Sequence, residues 1–226
     1  MKKPIIATSL KGLFIKNSPW IDAHILWYEE REKEIKKNKL DNSAIKEWRQ
    51  LFNSNPERER KEYFKYVDKI MKVLYPNLSD MKRTEKAREL FFDATIKYIK
   101  QNSQVINQPV VDYFLSLKKS YRLALITTNT PQALKNILKA SNLEKMFDII
   151  EAEEPTQKDK KDIVFNIFIK NYGKPSLYIG TGEEGIIYCQ KNNIPCIYAD
   201  LENQKEIEGV NSVHNLKELK EKIITL

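Results

Sequence analysis

The chain has 226 residues, of which 41% are hydrophobic and 31% charged, and its formal net charge is +8. This length suffices for one well-buried core and a smaller second one, since domains usually contain about 100 to 200 residues. No segment approaches the roughly 18 uninterrupted apolar residues of a membrane span, and the basic start MKKPIIATSLKGLF lacks the cleavage site of a signal peptide. We therefore expect a cytoplasmic protein of one or two domains with no membrane-spanning segment.

The positive charge is concentrated in the first half of the chain. Residues 1–102 hold 23 Lys and Arg against 15 Asp and Glu, whereas residues 103–226 hold 16 of each class. This excess is compatible with an anionic partner and also with an ordinary Lys-rich surface. Segments such as EEREKEIKK alternate in sign, as exposed helical faces do, which argues against a nucleic acid as the partner.

The first predicted element is a strand in PIIATS, which is followed by a polar segment containing Gly12 and by an Asn-Ser-Pro break. From about residue 18 to residue 103, apolar residues recur at helical spacing, and this stretch contains no glycine. We predict about four helices here, with starts near Asp41, Pro56 and Asp80. Their aromatic residues either pack as the core of a small bundle or line a ligand pocket.

From residue 104 the pattern becomes a strict alternation of helices and short apolar strands. The strands are predicted in YRLALITTN, FDIIEA, PSLYIG and IPCIYAD. Such alternation predicts right-handed crossovers and a mainly parallel sheet with helices on both faces. The strand in PIIATS most economically joins this sheet, so the predicted domains are residues 1–17 with 104–226, and an insertion at 18–103.

The cysteines and histidines suggest no chemistry of their own. Cys189 and Cys196 are seven positions apart, a spacing that matches no zinc or redox motif, and we expect both to be buried thiols. His24 and His214 are distant in sequence, and a hydrolytic pair is not predicted.

Small polar residues follow four of the predicted strands, in TSLKG, TTN, AEEPTQK and GTGEEG. Parallel sheets of this kind bind ligands at the carboxyl ends of their strands. Some of these residues have a structural role, and Thr130 before Pro131 is predicted to cap the next helix. Taken together, the four strand ends predict a site at this edge of the sheet.

In order and spacing, these stretches resemble the motifs of haloacid dehalogenase-like (HAD) hydrolases, in the branch with a helical cap inserted after the first motif. IIATSLKGLFIKNSP resembles the first motif, with Ser9 and Lys11 at its two aspartate positions. LALITTN resembles the second motif, with Thr128 and Asn129 at its hydroxyl and amide positions. The resemblance implies a Rossmann-like three-layer α/β sandwich with an inserted all-helical cap domain.

The two remaining motifs resemble later parts of the chain. The third, a lysine at the start of a helix, fits EEPTQKDKKDIVFNIF, with Lys158 as first choice and Lys161 as second. The fourth resembles LYIGTGEEGI, with Thr181 and Gly185 at its two acid positions.

The resemblance also implies what this chain has lost. In the family, the first aspartate is the nucleophile, the second is a general acid and base, and the fourth-motif acids help to hold magnesium. Here Ser9 has no evident base beside it, Lys11 places a cation where a carboxylate is expected, and Thr181 and Gly185 supply no carboxylate. We therefore expect the protein to bind neither a cofactor nor magnesium, and we assign a catalytic role to none of these residues.

Two hypotheses describe what a silent site of this kind does. In the first, it binds a small phosphorylated or other anionic ligand without a metal, through the donors of Ser9, Lys11, Thr128, Asn129 and Lys158. In the second, Lys11 is solvated or paired with Glu183 or Glu184, and the fold serves as a platform for a protein partner.

Two further alternatives remain open. One is a divergent hydrolase of the same family that uses non-standard acids, for which the candidates are Glu183, Glu184, Glu153, Glu154 and Asp22. The other binds an anionic partner through the basic helical cap, with an affinity that falls steeply with salt and survives loss of Lys11 and Lys158.

Overall fold

The computed structural model describes residues 3–152, 161–203 and 205–225, without the side chains of residues 56–61, 63 and 64. The chain divides into two compact units. One contains Met1–Asn17 with Ile99–Leu226 and is called the sheet unit; the other is Ser18–Tyr98 and is called the helical unit. The second boundary lies a few residues before position 103, where the sequence pattern changes period.

Within the part of the chain that the structure describes, the sheet unit is built on six parallel strands in the order β3-β2-β1-β4-β5-β6. This arrangement, with helices flanking the sheet, confirms the predicted α/β Rossmann-like class. The strands are β1 (Ile5–Thr8), β2 (Arg122–Thr127), β3 (Ile149–Ala152), β4 (Leu177–Gly180), β5 (Cys196–Ala199) and β6 (Asn211–Val213).

Helices connect the strands and form the inserted unit. They are α1 (Ser18–Lys37), α2 (Ser43–Ser54), α3 (Pro56–Leu74), α4 (Asp80–Gln101), α5 (Gln108–Leu117), α6 (Pro131–Ala140), α7 (Lys161–Tyr172), α8 (Glu183–Lys191) and α9 (Leu216–Thr225), with a short 3-10 turn at Ser103–Val105. The Thr130 side chain accepts a hydrogen bond from the Ala133 N–H, with Pro131 in the first turn of α6, which confirms the predicted cap.

The register of the sheet places β1 in the middle. Ile6 of β1 lies opposite Leu123 of β2 on one side and Leu177 of β4 on the other. Because all three strands run in the same direction, the residues that follow them lie along one edge of the sheet. We call this the carboxyl edge.

The core on one face of the sheet unit is rich in aromatic residues. Tyr178 of β4 packs with Ile5 of β1 and with Phe165 and Ile186 of α7 and α8. The rings of Phe165 and Tyr178 meet edge to face, with centroids 4.9 Å apart. Cys189 is buried in this cluster as expected, whereas Cys196 is only half buried.

The helical unit has its own core, in which the aromatic residues pack together. The rings of Tyr28 and Trp48 stack with centroids 4.0 Å apart and planes 12° apart, and Phe52 stacks on Trp48 at 5.5 Å. Tyr28, Trp48 and Phe52 therefore pack in the core of the helical unit, as one of the two alternatives predicts. Asp41 lies just before α2, where its carboxylate accepts a hydrogen bond from the Ser43 N–H.

In the described ranges, no helix combines the length and the apolar character needed to cross a bilayer.

Candidate functional site

The carboxyl edge brings Ser9 and Thr181 together, as their places after β1 and β4 predict. The Ser9 N–H donates to the Ile179 carbonyl at 3.0 Å, which continues the β1–β4 ladder past the end of β1. The two hydroxyl oxygens, Ser9 Oγ and Thr181 Oγ1, are 3.3 Å apart.

The directions of the hydrogen bonds between these side chains follow from the single proton that each hydroxyl can donate. Thr181 Oγ1–H donates to the Lys11 carbonyl at 2.6 Å, so this hydroxyl has only lone pairs left for Ser9. Ser9 Oγ–H therefore donates to Thr181 Oγ1, and Ser9 Oγ accepts from the Thr181 N–H at 3.3 Å. The result is a directed chain from Ser9 through Thr181 to a backbone carbonyl, which we call the hydroxyl chain.

The loop after β1 depends on one glycine. Gly12 has φ = 78°, a left-handed conformation that side chains rarely adopt, and its N–H donates to the Ile15 carbonyl at 2.6 Å. A Cβ atom at Gly12 would lie 3.0 Å from Thr181 Cβ and Cγ2. The glycine thus allows the Lys11 carbonyl to reach the Thr181 hydroxyl.

Lys11 is exposed, and its electrostatic neighbour is an acid that the sequence did not suggest. The protein around its ammonium displaces water and lowers the pKa of Lys11, while the Glu202 carboxylate acts to raise it. Glu202 follows β5 and accepts a hydrogen bond from the Asn17 N–H at 2.9 Å. No local sequence pattern indicates this contact, because Asn17 and Glu202 are 185 positions apart.

The loop after β5 is ordered by Asp200, a buried carboxylate. Burial opposes its ionisation, but hydrogen bonds from the N–H groups of Asn203, Lys205 and Glu202 outweigh this effect and hold the pKa of Asp200 below its usual range. Asp200 is therefore an ionised structural group that fixes the loop carrying Glu202 and Lys205.

At the end of β2, the side-chain donor of Asn129 is used locally. Thr127 is buried, and its Oγ1 accepts from the Asn129 N–H at 3.2 Å and from Asn129 Nδ2 at 2.9 Å. Thr128, which follows directly, is half buried. The second-motif residues thus stand at the carboxyl edge, and one amide proton of Asn129 is directed into the turn.

The side chain of Lys161, at the start of α7, reaches the carboxyl end of strand β2. Its Nζ donates to the Ile126 carbonyl and lies 5.8 Å from the centroid of the Phe165 ring. Burial lowers the pKa of Lys161 to about 8, while Glu184 acts to raise it. Lys158 lies outside the described residues, as do Glu153 and Glu154. Of the two candidates for the third-motif lysine, the described residues therefore include Lys161 alone.

Thr181 and Gly185, which the resemblance assigns to the fourth motif, carry no carboxylate, but Glu183 and Glu184 lie beside them. Glu183 forms an ion pair with Lys205, in which both side chains are about half exposed. Glu183 is thus paired with a lysine of the loop after β5, and the alternatives that Lys11 is solvated or pairs with Glu183 or Glu184 stay predictions. Gly185 is buried, and a Cβ atom there would lie 2.6 Å from the Tyr178 hydroxyl oxygen.

The residues at these positions do not fit a magnesium ion. Magnesium in proteins requires hard oxygen ligands, usually including one or two carboxylates. The motif positions instead offer two hydroxyls committed to the hydroxyl chain, an ammonium and a glycine. Across the described ranges, no three His, Cys, Asp or Glu side chains come together as metal ligands do.

Comparisons with known proteins agree with this architecture. Residues 35–199 match the model of the haloacid dehalogenase-like hydrolase family. The chain belongs to this family. The match begins within α1, so β1 with Ser9 and Lys11 lies outside it, while the later motif positions of this HAD-like protein lie within it. No curated protein matches the chain.

Solved structures of HAD-like proteins share the fold over the whole chain. A 2-haloacid dehalogenase from Pseudomonas syringae pv. Tomato DC3000 is 14% identical, with a TM-score of 0.60 and coverage of 100% of this chain and 99% of that one. A predicted phosphatase from Clostridium acetobutylicum is 18% identical, with a TM-score of 0.58 and full coverage of both chains. A β-phosphoglucomutase from Clostridium difficile is 14% identical, with a TM-score of 0.56 and coverage of 99% and 100%.

Proposed function

We propose that this HAD-like protein is a pseudoenzyme, which has lost magnesium-dependent phosphohydrolase activity and acts by binding a partner. The hydroxyl chain from Ser9 through Thr181 to the Lys11 carbonyl carries the proposal. A serine nucleophile needs a base that removes its proton. The Ser9 proton is directed to another hydroxyl, whose own proton is directed to a backbone carbonyl, and neither oxygen is a base at neutral pH.

The same bonds favour an interaction module over a phosphate pocket. An anion pocket needs donors that point to a shared vacant position. Here Ser9, Asn129 and Lys161 donate within the chain, and Glu202 adds a negative charge near Lys11. We therefore favour a protein partner over a small phosphorylated ligand.

Calorimetric titration of the purified protein with magnesium, with inorganic phosphate and with both tests this proposal. We expect neither magnesium nor phosphate to bind at up to millimolar concentration. Phosphate binding without magnesium that is abolished by Lys11→Ala, but retained by the Lys205→Ala control, would overturn the interaction module in favour of the anion pocket. Magnesium binding would contradict the pseudoenzyme itself.

A second candidate is a divergent phosphatase-like hydrolase, because the similar structures include a predicted phosphatase from Clostridium acetobutylicum. Glu184 acts on the ammonium of Lys161, so one carboxylate and one cation meet near the carboxyl edge. If this pair performs hydrolysis, Glu184→Gln should abolish turnover of a generic phosphoester. Glu183→Gln is the matched control, because Glu183 pairs with Lys205 instead.

Binding of an anionic partner by the helical unit has less support. Residues 18–98 hold 18 Lys and Arg against 15 Asp and Glu, so most of the positive excess lies elsewhere. Several of these cations also pair with acids, as in Lys69–Glu47 and Lys97–Glu30, both at 2.6 Å. A steep fall of partner affinity with added salt, unaffected by Lys11→Ala, would favour this alternative over ours.

A further inference from the structure

Two glycines from different elements face one tyrosine ring. A Cβ atom at Gly180, the last residue of β4, would lie 2.5 Å from Tyr178 Cε1 and 2.8 Å from Cζ and Oη. A Cβ atom at Gly185, in the first turn of α8, would lie 2.6 Å from Tyr178 Oη and 3.0 Å from Cε1 and Cζ. Such distances are shorter than real Cβ contacts allow, so the ring excludes a side chain at both positions.

Backbone conformation does not explain these glycines. The glycines with positive φ are Gly12, Gly173 and Gly209, and neither Gly180 nor Gly185 is among them. An alanine could therefore adopt the backbone at both positions without torsional strain. The space taken by Tyr178 is what requires glycine there.

Tyr178 cannot easily move out of this space. Only 1% of its surface is exposed, and its ring contacts Phe165 edge to face within the aromatic core. Burial also raises the pKa of the Tyr178 phenol, so the group that occupies the site is neutral. An acid introduced at Gly185 would place a carboxylate against the buried ring of Tyr178. This neutral ring supplies no positive charge to compensate the carboxylate.

We infer that Tyr178 occludes the carboxyl edge beside β4 and α8, and that a metal-binding carboxylate cannot be restored at Gly185 while this tyrosine is present. The inference goes beyond the proposed function, because it concerns the packing that holds the edge in its acid-free form. Tyr178, Gly180 and Gly185 form one interdependent set, in which a change at either glycine requires a change at the tyrosine.

A double-mutant cycle tests the packing directly. Gly185→Ala should lower the melting temperature by several degrees in the wild-type background, since overpacking costs about 1–3 kcal/mol and each kcal/mol is about 2–4 °C at this length. In the Tyr178→Val background the same change should have no effect or raise the melting temperature, because alanine favours the helix and fills the new cavity. Equal shifts in both backgrounds would overturn the inference.

Two further variants keep this cycle decisive. Tyr178→Phe removes only the hydroxyl oxygen, the atom nearest to the Gly185 position, and should relieve part of the Gly185→Ala penalty even if Tyr178→Val unfolds the chain. Gly182→Ala is the matched control, because a Cβ atom there meets nothing within 4 Å among the described residues. Its shift should be the same with tyrosine, phenylalanine or valine at position 178.

A magnesium titration connects the packing to the lost acids. The combined variant Ser9→Asp, Lys11→Asp, Thr181→Asp and Gly185→Asp should bind magnesium by calorimetry only when Tyr178→Val is added. Equal magnesium binding with Tyr178 retained would overturn the inference. Turnover by the wild-type protein would instead contradict the proposed function and leave the outcome of the stability cycle unchanged, so the two failures are distinguishable.

Discussion

The helical unit and the carboxyl edge of the sheet unit use their polar side chains in different ways. In the helical unit, charged side chains pair with one another at the surface, as Lys69 does with Glu47. At the carboxyl edge, the half-buried side chains of Ser9 and Thr181 bond to each other and to backbone. The comparison indicates that the helical unit depends for its stability on the aromatic core, whereas the edge hydroxyls connect β1 and β4 through hydrogen bonds.

The largest effect is expected from breaking the aromatic core of the helical unit. Trp48→Ala removes a buried ring that stacks on Tyr28 and Phe52, and should lower the free energy of unfolding by about 3–5 kcal/mol. Denaturant titration followed by circular dichroism measures this loss. Tyr172→Ala, at a ring that is 43% exposed, is the control and should cost far less. A comparable loss in the two variants would contradict an aromatic-core origin of stability.

The next effect concerns the buried ammonium at the carboxyl edge. Lys161 has a pKa of about 8 in the folded chain and 10.5 when unfolded, so the unfolded chain binds more protons between these values. Stability should therefore rise from pH 8 to pH 10.5, by up to about 3 kcal/mol at 1.36 kcal/mol per pH unit. Lys161→Met should remove this rise in melts recorded over that window.

The matched control for this pH series is Lys170→Met, which changes an exposed lysine of the same helix, α7. It should retain the rise in stability above pH 8. A rise that persists in Lys161→Met would place the responsible group elsewhere.

A smaller effect is expected from breaking the hydroxyl chain. Thr181→Val removes the group that accepts from Ser9 and donates to the Lys11 carbonyl, and should cost about 1 kcal/mol of unfolding free energy. Thr84→Val is the counterpart in the helical unit, where an exposed threonine donates to the Asp80 carbonyl. Its cost should be much smaller, because water can replace the lost bond. Equal losses of unfolding free energy in the two variants would show that polar groups at the carboxyl edge and at the helical surface contribute alike.

The smallest effect is expected from the exposed ion pairs. Lys69→Ala in the helical unit and Lys205→Ala at the carboxyl edge each remove one partner of a solvated pair. Neither should change the denaturation midpoint measurably, because water and salt screen such pairs. A clearly lower denaturation midpoint in the Lys205→Ala variant would show that the stability of the carboxyl edge depends on this exposed ion pair.

Much of the fold could be predicted because its signals are local. The alternating strands and helices after residue 104 were predicted from their spacing, and the helix starts at Pro56 and Asp80 are where the structure has them. The cap at Thr130 followed from a hydroxyl next to a proline. Each of these signals depends on a few neighbouring residues and on general backbone physics.

The contacts that decide the site could not be predicted, because they join distant parts of the chain. The edge positions of Ser9 and Thr181 followed from motif order, but the direction of their hydrogen bonds depends on how close the Lys11 carbonyl comes. Glu202 reaches Asn17 only through the packing of the loop after β5, which no local pattern in the sequence indicates. The only sequence signal for the position of Tyr178 was the pair of glycines that follow it at 180 and 185, which its buried ring requires.

Turnover of a generic phosphoester, with and without magnesium, tests the central claim that the carboxyl edge has lost its chemistry. The assay compares the wild-type protein with the variant Ser9→Asp and Lys11→Asp, in which Thr181 and Gly185 still supply no carboxylate. We predict no magnesium-dependent turnover by either protein. Magnesium-dependent hydrolysis by the wild-type protein would contradict the pseudoenzyme proposal, and hydrolysis by the variant would show that the first-motif acids alone suffice to restore activity.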